Sequence, residues 1–298
     1  MKVHIRFLLL LAVIGLAGQT RLEIVQGGEP GKGSVVSRSE SAQSTAITYE
    51  WRNPNPGKVT GANPPHFTCA AEIPLDRMRM AIESFGIAEN AMQYSFTSAA
   101  DRKRKEQQTK ALMAARGMTF EESTNIAKIS YDWMVEKSRD DLKPGAAALE
   151  KLSIEKNYAG AREILGVFSS FVQNLEFRVP ETYRKDAKGE RVFTGGITMP
   201  LETLYNGWGD CDTKCVLFAS LLANIPKTSM VFLIGSKHMF VGVRATPRMN
   251  DRFIEIRGIP YILAEMTSPW PLGRIPDHNW NALDQKLFRI VEIYDNDQ

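Results

Sequence analysis

The chain has 298 residues, of which 43% are hydrophobic and 24% are charged, and its formal net charge is +3. This balance is typical of a folded globular protein and excludes a chain that is disordered throughout. A net charge so close to zero provides no electrostatic reason to bind nucleic acid, so no nucleic-acid partner is expected.

Residues 1–18 have the layout of a secretory signal peptide. Lys2 and Arg6 precede an apolar run from Phe7 to Gly18 that ends in small residues. The run is shorter than the roughly 20 residues that a membrane-spanning helix needs, although a retained anchor is the alternative. We therefore predict a cleaved signal and a periplasmic or extracellular mature chain without a membrane span. Cleavage lowers the formal charge from +3 to about +1.

The segment from residue 19 to residue 152 shows no candidate chemistry. Residues 19–60 are rich in Gly, Ser, Gln and Pro, which predicts a flexible arm with one short strand at 46–51. Residues 61–152 have a helical pattern and are predicted to form an accessory region. Pro74 suits the first turn of a helix.

Two further features are predicted to shape this helical region. Thr119 and Glu122 have the spacing of a capping box, which predicts that a helix begins there and carries Trp133. Pro144 and Gly145 predict a break after that helix.

Residues 153–298 have the pattern of an α+β domain. A helix at 158–174 has its apolar residues at i, i+3, i+4 and i+7, and a second helix at 211–223 is apolar almost all round, which indicates burial. Four strands follow, joined by short turns that favour antiparallel pairing. They are predicted at 230–234, 238–245, 253–257 and 261–266.

Cys211 is the leading candidate nucleophile. It follows Gly209 and Asp210 at the start of the buried helix. Free amides and the dipole there favour an anion, lower a thiol pKa and point toward an oxyanion on an attacked carbonyl. The alternative is a small core residue. Three cysteines leave at least one thiol unpaired, and a Cys69–Cys215 disulfide would leave Cys211 free.

His238 and Glu265 are candidate partners of the thiol. His238 starts the strand of the next hairpin, from which it can act as a base toward the helix start. Glu265 lies among apolar strand residues, where a carboxylate is costly unless it is paired, and orienting an imidazole is one such pairing. The alternatives are a surface histidine and an edge-strand acid that faces water.

This order of residues resembles that of the transglutaminase-like cysteine enzymes, and of their bacterial cysteine proteinase type in particular. The resemblance covers roughly residues 158–276, and its most specific part is Gly-Asp-Cys-Asp followed by Ala-Ser-Leu-Leu at 219–222. The other matching segments are 171–173, 200–204, the surroundings of His238, and 261–267.

The resemblance implies a papain-like α+β core in which the nucleophile lies on a buried helix packed against an antiparallel sheet. It implies Cys211 as the nucleophile, His238 as its base and Glu265 as the third member, where the family most often has Asp. Gln173, on the preceding helix, would donate its side-chain amide to an oxyanion beside the Cys211 amide.

The resemblance also implies attack of a thiolate on an amide carbonyl of a protein or peptide substrate. For an exported chain without repeats or large binding modules, we favour hydrolysis by a protease or amidase. The alternatives are a protein-crosslinking acyl transferase of the same fold and a non-catalytic binding scaffold. No cofactor is expected, and no metal site is expected because the sequence has neither a second CxxC motif nor a His-rich tract.

Overall fold

The computed structural model describes residues 33–55, 64–121, 126–285 and 287–295. The predicted signal peptide at 1–18 lies outside these ranges. The N-terminal half contains strands β1 to β6 and helices α1 to α3, and these are β1 Val35–Glu40, β2 Ser44–Arg52, β3 His66–Pro74, α1 Leu75–Ser84, β4 Ile87–Ala88, α2 Ala99–Ala115, β5 Met118–Glu121, β6 Ile126–Ile129 and α3 Tyr131–Glu155.

The C-terminal half begins with a helix and ends with a strand. Its elements are α4 Ala161–Gln173, β7 Glu176–Phe177, β8 Tyr183–Lys185, β9 Arg191–Phe193, α5 Pro200–Asn206, β10 Trp208–Gly209, α6 Cys211–Leu222, β11 Ser229–Ile234, β12 Met239–Arg244, β13 Phe253–Ile256, β14 Ile259–Ala264, α7 Asp277–Asp284 and β15 Arg289–Asp295. The described residues therefore form a mixed α+β structure, as predicted.

The described part of the predicted flexible arm, residues 33–55, contributes instead to the core. β1, β2 and β3 form an antiparallel sheet in that order, and the short strand predicted at 46–51 is confirmed as part of β2. Burial alternates along β2, so Tyr49 and Trp51 point inward. The Trp51 indole donates to Ser170 Oγ at 3.0 Å, and the Tyr49 ring packs edge-on against Phe171. The composition of this segment predicted a loose arm because the inward residues of β2 are spaced among polar ones.

Two predictions within residues 61–152 are wrong. Thr119 lies on β5 rather than at a helix start, because Met118 and Ile129 pair in an antiparallel hairpin; Glu122 lies outside the described residues. Helix α3 starts at Tyr131 and continues through Pro144 to its end. Packing of its buried face against α6 outweighs the hydrogen bond that proline removes. The helix predicted at Pro74 is present as α1.

Helix α6 is the central element of the fold. All twelve of its residues are buried, and it packs against α3, α4, α5 and β12. A helix apolar on every side requires such a position. One continuous core cluster extends from Ile47 to Leu272, so the predicted accessory region and the C-terminal domain share a core.

A five-stranded antiparallel sheet, in the order β13-β14-β12-β11-β15, covers one side of α6. The four predicted strands are confirmed to within a few residues, whereas β15 was not predicted. Alternation divides the sheet into two faces: Met239 and Val241 join the α6 core, and Phe240 joins a second cluster with Trp280 of α7. Within the described ranges, no helix is both long enough and apolar enough to cross a bilayer.

Candidate active site

The turn before Cys211 depends on two glycines. Gly207 ends α5 in the left-handed conformation, with φ of 77°. A Cβ on Gly209 would lie 2.7 Å from Thr213 Cγ2, which is too close for any larger residue. β10 also pairs in parallel with β7. These contacts bring the chain to Cys211 at the first position of α6, as the sequence predicted.

Two buried aspartates flank Cys211 at this helix start. Asp210 is the N-cap, and its Oδ1 accepts from the Thr213 amide at 3.3 Å. Asp212 Oδ1 accepts from the same amide at 2.8 Å, and its Oδ2 accepts from the Tyr131 hydroxyl at 3.2 Å. Burial raises the pKa of Asp212 well above its usual value, and the nearby Asp210 raises it further.

The environment of the Cys211 thiol corrects one expectation. Burial raises the pKa of Cys211 well above its usual value, and the charges of Asp212, Asp210 and Glu265 act in the same direction. A hydrogen bond from the Met239 backbone opposes this rise only in part. The helix start was expected to lower the thiol pKa, but the dipole is outweighed by burial and by the acids around it. Burial and the neighbouring acids thus favour the neutral thiol over the thiolate.

His238 and Glu265 form a close pair. His238 Nε2 and Glu265 Oε2 are 2.8 Å apart, although the two residues are 27 positions apart in sequence. The Glu265 side chain is 1% exposed and the His238 side chain 17% exposed. The His238 ring also packs edge-on against Phe240, with the ring centroids 4.4 Å apart.

Both oxygens of the Glu265 carboxylate have partners. Oε1 accepts from the Thr267 amide at 2.7 Å and from the Thr267 hydroxyl at 2.6 Å, which leaves Oε2 to His238. Burial alone would raise the pKa of Glu265, but the charge and hydrogen bond of His238, together with the Thr267 donors, lower it below its usual value. The carboxylate is therefore an ionised group with a fixed orientation.

Met239 directly follows His238 in the chain and contacts the cysteines of α6 through its backbone. Its backbone forms a hydrogen bond with the Cys211 sulfur, and its carbonyl accepts from Cys215 Sγ at 3.3 Å. The described residues include no hydrogen bond between Cys211 and the His238 ring. Because Nε2 is bound to Glu265, Nδ1 is the nitrogen that remains for a thiol or a substrate.

The three cysteines are free. The disulfide considered between Cys69 and Cys215 is therefore not formed. Cys69 lies half-buried on β3, whereas Cys215 is fully buried on α6. Cys215 packs in the main core cluster.

Gln173 is close to the site, but its amide points elsewhere. Nε2 donates to the Glu265 carbonyl at 2.7 Å and to the Trp270 carbonyl at 2.8 Å. Both of its N–H groups are thus in use, and Oε1 has no partner. This geometry provides no side-chain donor for the expected oxyanion role. The Cys211 amide, at the first position of α6, has no intrahelical partner and retains that possibility.

Lys214 is a site residue that sequence reasoning missed. It is 0% exposed, and its Nζ donates to the carbonyls of Leu175 at 2.6 Å and Gln173 at 3.3 Å. Burial lowers the pKa of Lys214 to about 7, while Glu265 and Asp210 oppose that change. The signal was present in the sequence as a lysine inside an otherwise apolar helix.

Within the described residues, no group of three or more His, Cys, Asp and Glu side chains is arranged to hold a metal ion. Comparison with protein-family profiles, curated proteins and solved structures finds no match for this chain.

Proposed function

We propose that this protein is a cysteine hydrolase that cleaves an amide bond of a protein or peptide through Cys211, His238 and Glu265. The observation that carries the proposal is the 2.8 Å hydrogen bond between His238 and Glu265. It lies next to Met239, whose backbone contacts the Cys211 sulfur. A buried carboxylate that holds one imidazole, beside a thiol at a helix start, is the arrangement that activates a nucleophile.

The proposed reaction has two halves. The Cys211 proton passes to His238 Nδ1 while the sulfur bonds to the carbonyl carbon, and the Cys211 amide stabilises the resulting oxyanion. The carbon–nitrogen bond then breaks, and His238 returns the proton to the leaving amine, which leaves a thioester on Cys211. Water attacks the thioester while His238 accepts its proton. The carbon–sulfur bond then breaks to release the acid, and His238 returns its proton to the Cys211 sulfur, so one amide and one water become one acid and one amine.

The raised thiol pKa supports proton transfer during attack rather than a resting thiolate. The negative charges of Asp210, Asp212 and Glu265 disfavour a thiolate at Cys211 before substrate arrives. Glu265 instead favours the imidazolium that forms on His238 when the proton moves. The acid member of the proposed triad thus stabilises the charged state of the base.

We extend the proposal to a papain-like core and to export. The complete burial of α6 and its packing against β12 support a core in which the nucleophile helix lies on an antiparallel sheet. Export to the periplasm or the cell exterior depends on residues 1–18 of the sequence alone.

The experiment compares hydrolysis of an internally quenched peptide library by the parent and three variants. Cys211→Ala is expected to abolish turnover, and His238→Gln to lower it by about 10³-fold or more. Cys69→Ser, which also removes one thiol but lies on β3, is expected to match the parent. Circular dichroism checks that each variant is folded.

A labelled primary amine added to the same assay distinguishes hydrolysis from acyl transfer. Hydrolysis predicts cleavage fragments with free carboxylates and no amine incorporated. If the labelled amine is incorporated and this requires Cys211, the proposed function changes from hydrolysis to protein crosslinking. Full activity in folded Cys211→Ala would overturn the thiol mechanism, and the absence of any turnover or acyl transfer by the parent would favour a binding scaffold.

A further inference from the structure

Consecutive hydrogen bonds join the nucleophile helix to the loop that carries the acid. Lys214 of α6 donates from Nζ to the Leu175 and Gln173 carbonyls at the end of α4. The Gln173 side chain then donates to the Glu265 and Trp270 carbonyls. A single residue, Gln173, thus receives a bond from α6 through its backbone and holds the Glu265 loop through its side chain.

Both polar side chains in this connection are wholly enclosed. Gln173 and Lys214 are each 0% exposed. A buried amine or amide is costly unless it makes hydrogen bonds, and an apolar residue of similar length would fill the same space at lower cost. The end of α4 gives Lys214 a specific partner, because the last carbonyls of a helix lack intrahelical donors and attract a positive charge.

The surroundings of Lys214 are acidic. Glu265, Asp210, Cys215 and Glu176 all influence its charge, from the loop after β14, the α6 N-cap, α6 itself and β7 respectively. The hydrogen bonds do not require that charge, because a neutral amine still has two N–H groups to donate. The connection therefore holds across the pH range in which Lys214 titrates.

We propose that Gln173, anchored by Lys214, is a positioning residue that holds the Glu265 backbone where its carboxylate meets the His238 ring. This proposal rests on the function proposed above, because it assigns a role within that triad. Glu265 follows the last residue of β14 and so lies beyond the sheet's own hydrogen bonds. The Gln173 side chain supplies the bond to the Glu265 carbonyl at that point.

The experiment follows the Nε2–H proton of the His238 ring by NMR at one fixed pH, with its signal assigned by loss in His238→Gln. A charge-assisted hydrogen bond to the Glu265 carboxylate is short and strong, and it moves this proton signal downfield. Gln173→Met, which keeps the length but removes both donors, is expected to move the signal upfield, toward its position in Glu265→Gln. Glu265→Gln defines the upfield shift for complete loss of the charged partner.

Thr213→Val is the matched control. Thr213 is a fully buried neighbour on α6 whose hydroxyl has no partner, so this variant changes a buried side chain without breaking a hydrogen bond. Its Nε2–H signal is expected to stay at the parent position. Gln173→Asn, which keeps an amide but is one methylene shorter, provides a second variant and is expected to give a smaller shift of the same sign. A parent-like Nε2–H signal in the folded Gln173 variants would overturn the proposal.

A double-mutant cycle tests the role of Lys214. If Lys214 anchors Gln173, the shift caused by Gln173→Met is smaller in a Lys214→Met background than in the parent, whereas equal shifts would remove Lys214 from the proposal. These measurements require no turnover. Absence of hydrolysis by the parent together with the expected Nε2–H shifts would reject the enzyme alone, and Cys211-dependent hydrolysis without those shifts would reject the positioning role alone.

Discussion

The Glu265 carboxylate holds the His238 ring with one oxygen at 2.8 Å and Thr267 with the other. This arrangement orients the imidazole so that Nε2 is bound to Glu265 and Nδ1 remains available to a thiol or a substrate. Glu265→Gln keeps the shape of the side chain but removes its charge. It is expected to lower hydrolysis by about 10²-fold, less than Cys211→Ala or His238→Gln, and steady-state kinetics would measure it.

The same substitution tests the contribution of this pair to stability. The folded pKa of Glu265 is lowered, so its contribution is present above its ordinary pKa and is lost as pH falls through the folded pKa. Glu265→Gln is expected to reduce the free energy of unfolding by about 3 kcal/mol near pH 7. Denaturant titrations should show this difference shrinking on acidification, while the exposed control Glu255→Gln stays near the parent at every pH.

The ionisation of Asp212 affects the pH dependence of stability in the opposite direction. Its folded pKa is raised, so the folded state binds more protons than the unfolded state, and stability falls as pH rises above the ordinary value for Asp. Asp212→Asn keeps an acceptor for the Thr213 amide and a polar partner for Tyr131. It is expected to be more stable than the parent by about 1–3 kcal/mol at pH 7. Thermal unfolding should show no such gain in the exposed control Asp76→Asn.

Asp212→Asn is also expected to change the thiol. The Asp212 charge raises the pKa of Cys211, so its removal should move the pH dependence of Cys211 alkylation to lower pH. Iodoacetamide labelling followed by peptide mapping measures this, with buried Cys215 reporting any general loosening. An unchanged Cys211 profile in the folded variant would contradict the electrostatic influence of Asp212.

Because the Lys214 amine is buried, we expect the protein to become more stable as the pH rises above 7. Its pKa is lowered to about 7 in the folded protein, so the unfolded chain binds the extra proton between that pH and its ordinary value near 10.5. Raising the pH from 7 to 10 is expected to stabilise the parent relative to Lys214→Met by roughly 2–4 kcal/mol. Urea titrations of both proteins test this, and a pH-independent difference would contradict a buried titrating amine.

Trp51 tests whether the N-terminal strands belong to the core. The residue is 2% exposed, stacks with Phe67 and donates to Ser170. Trp51→Ala is expected to cost about 3–5 kcal/mol of stability, since it removes a large buried side chain. Glu50→Ala, at the adjacent exposed position of β2, is the matched control and should cost less than about 0.5 kcal/mol. If denaturant titrations gave similar unfolding midpoints for the two variants, the N-terminal strands would not belong to the core.

The main helices and strands around the site were readable from sequence. The all-round apolar run after Cys211 predicts a buried helix, and the alternation after His238 predicts a strand, because both patterns are local. The candidates Cys211, His238 and Glu265 were chosen from their positions at the ends of these elements. The pairing of His238 with Glu265 depends on β14 lying next to β12 rather than β13 doing so, an order of strands that the sequence did not predict.

Features that depend on distant neighbours were predicted less well. Pro144 predicts a break by local rules, yet packing against α6 carries the helix through it. Residues 35–52 appear loose by composition, yet their spaced apolar residues meet α4 and form strands. In both cases a contact between segments far apart in the chain outweighs local propensity.

The sequence by itself determined the α+β class, the buried helix that begins at Cys211 and the strands next to His238 and Glu265, because residue periodicity and helix-start chemistry act over a few neighbouring positions. Only the tertiary structure decided the charge state of the Cys211 thiol, the direction of the Gln173 amide and the partners of Lys214. These depend on burial and on the distances between groups from separate segments. Solvation and Coulomb energies are determined by those distances, which the order of residues does not specify.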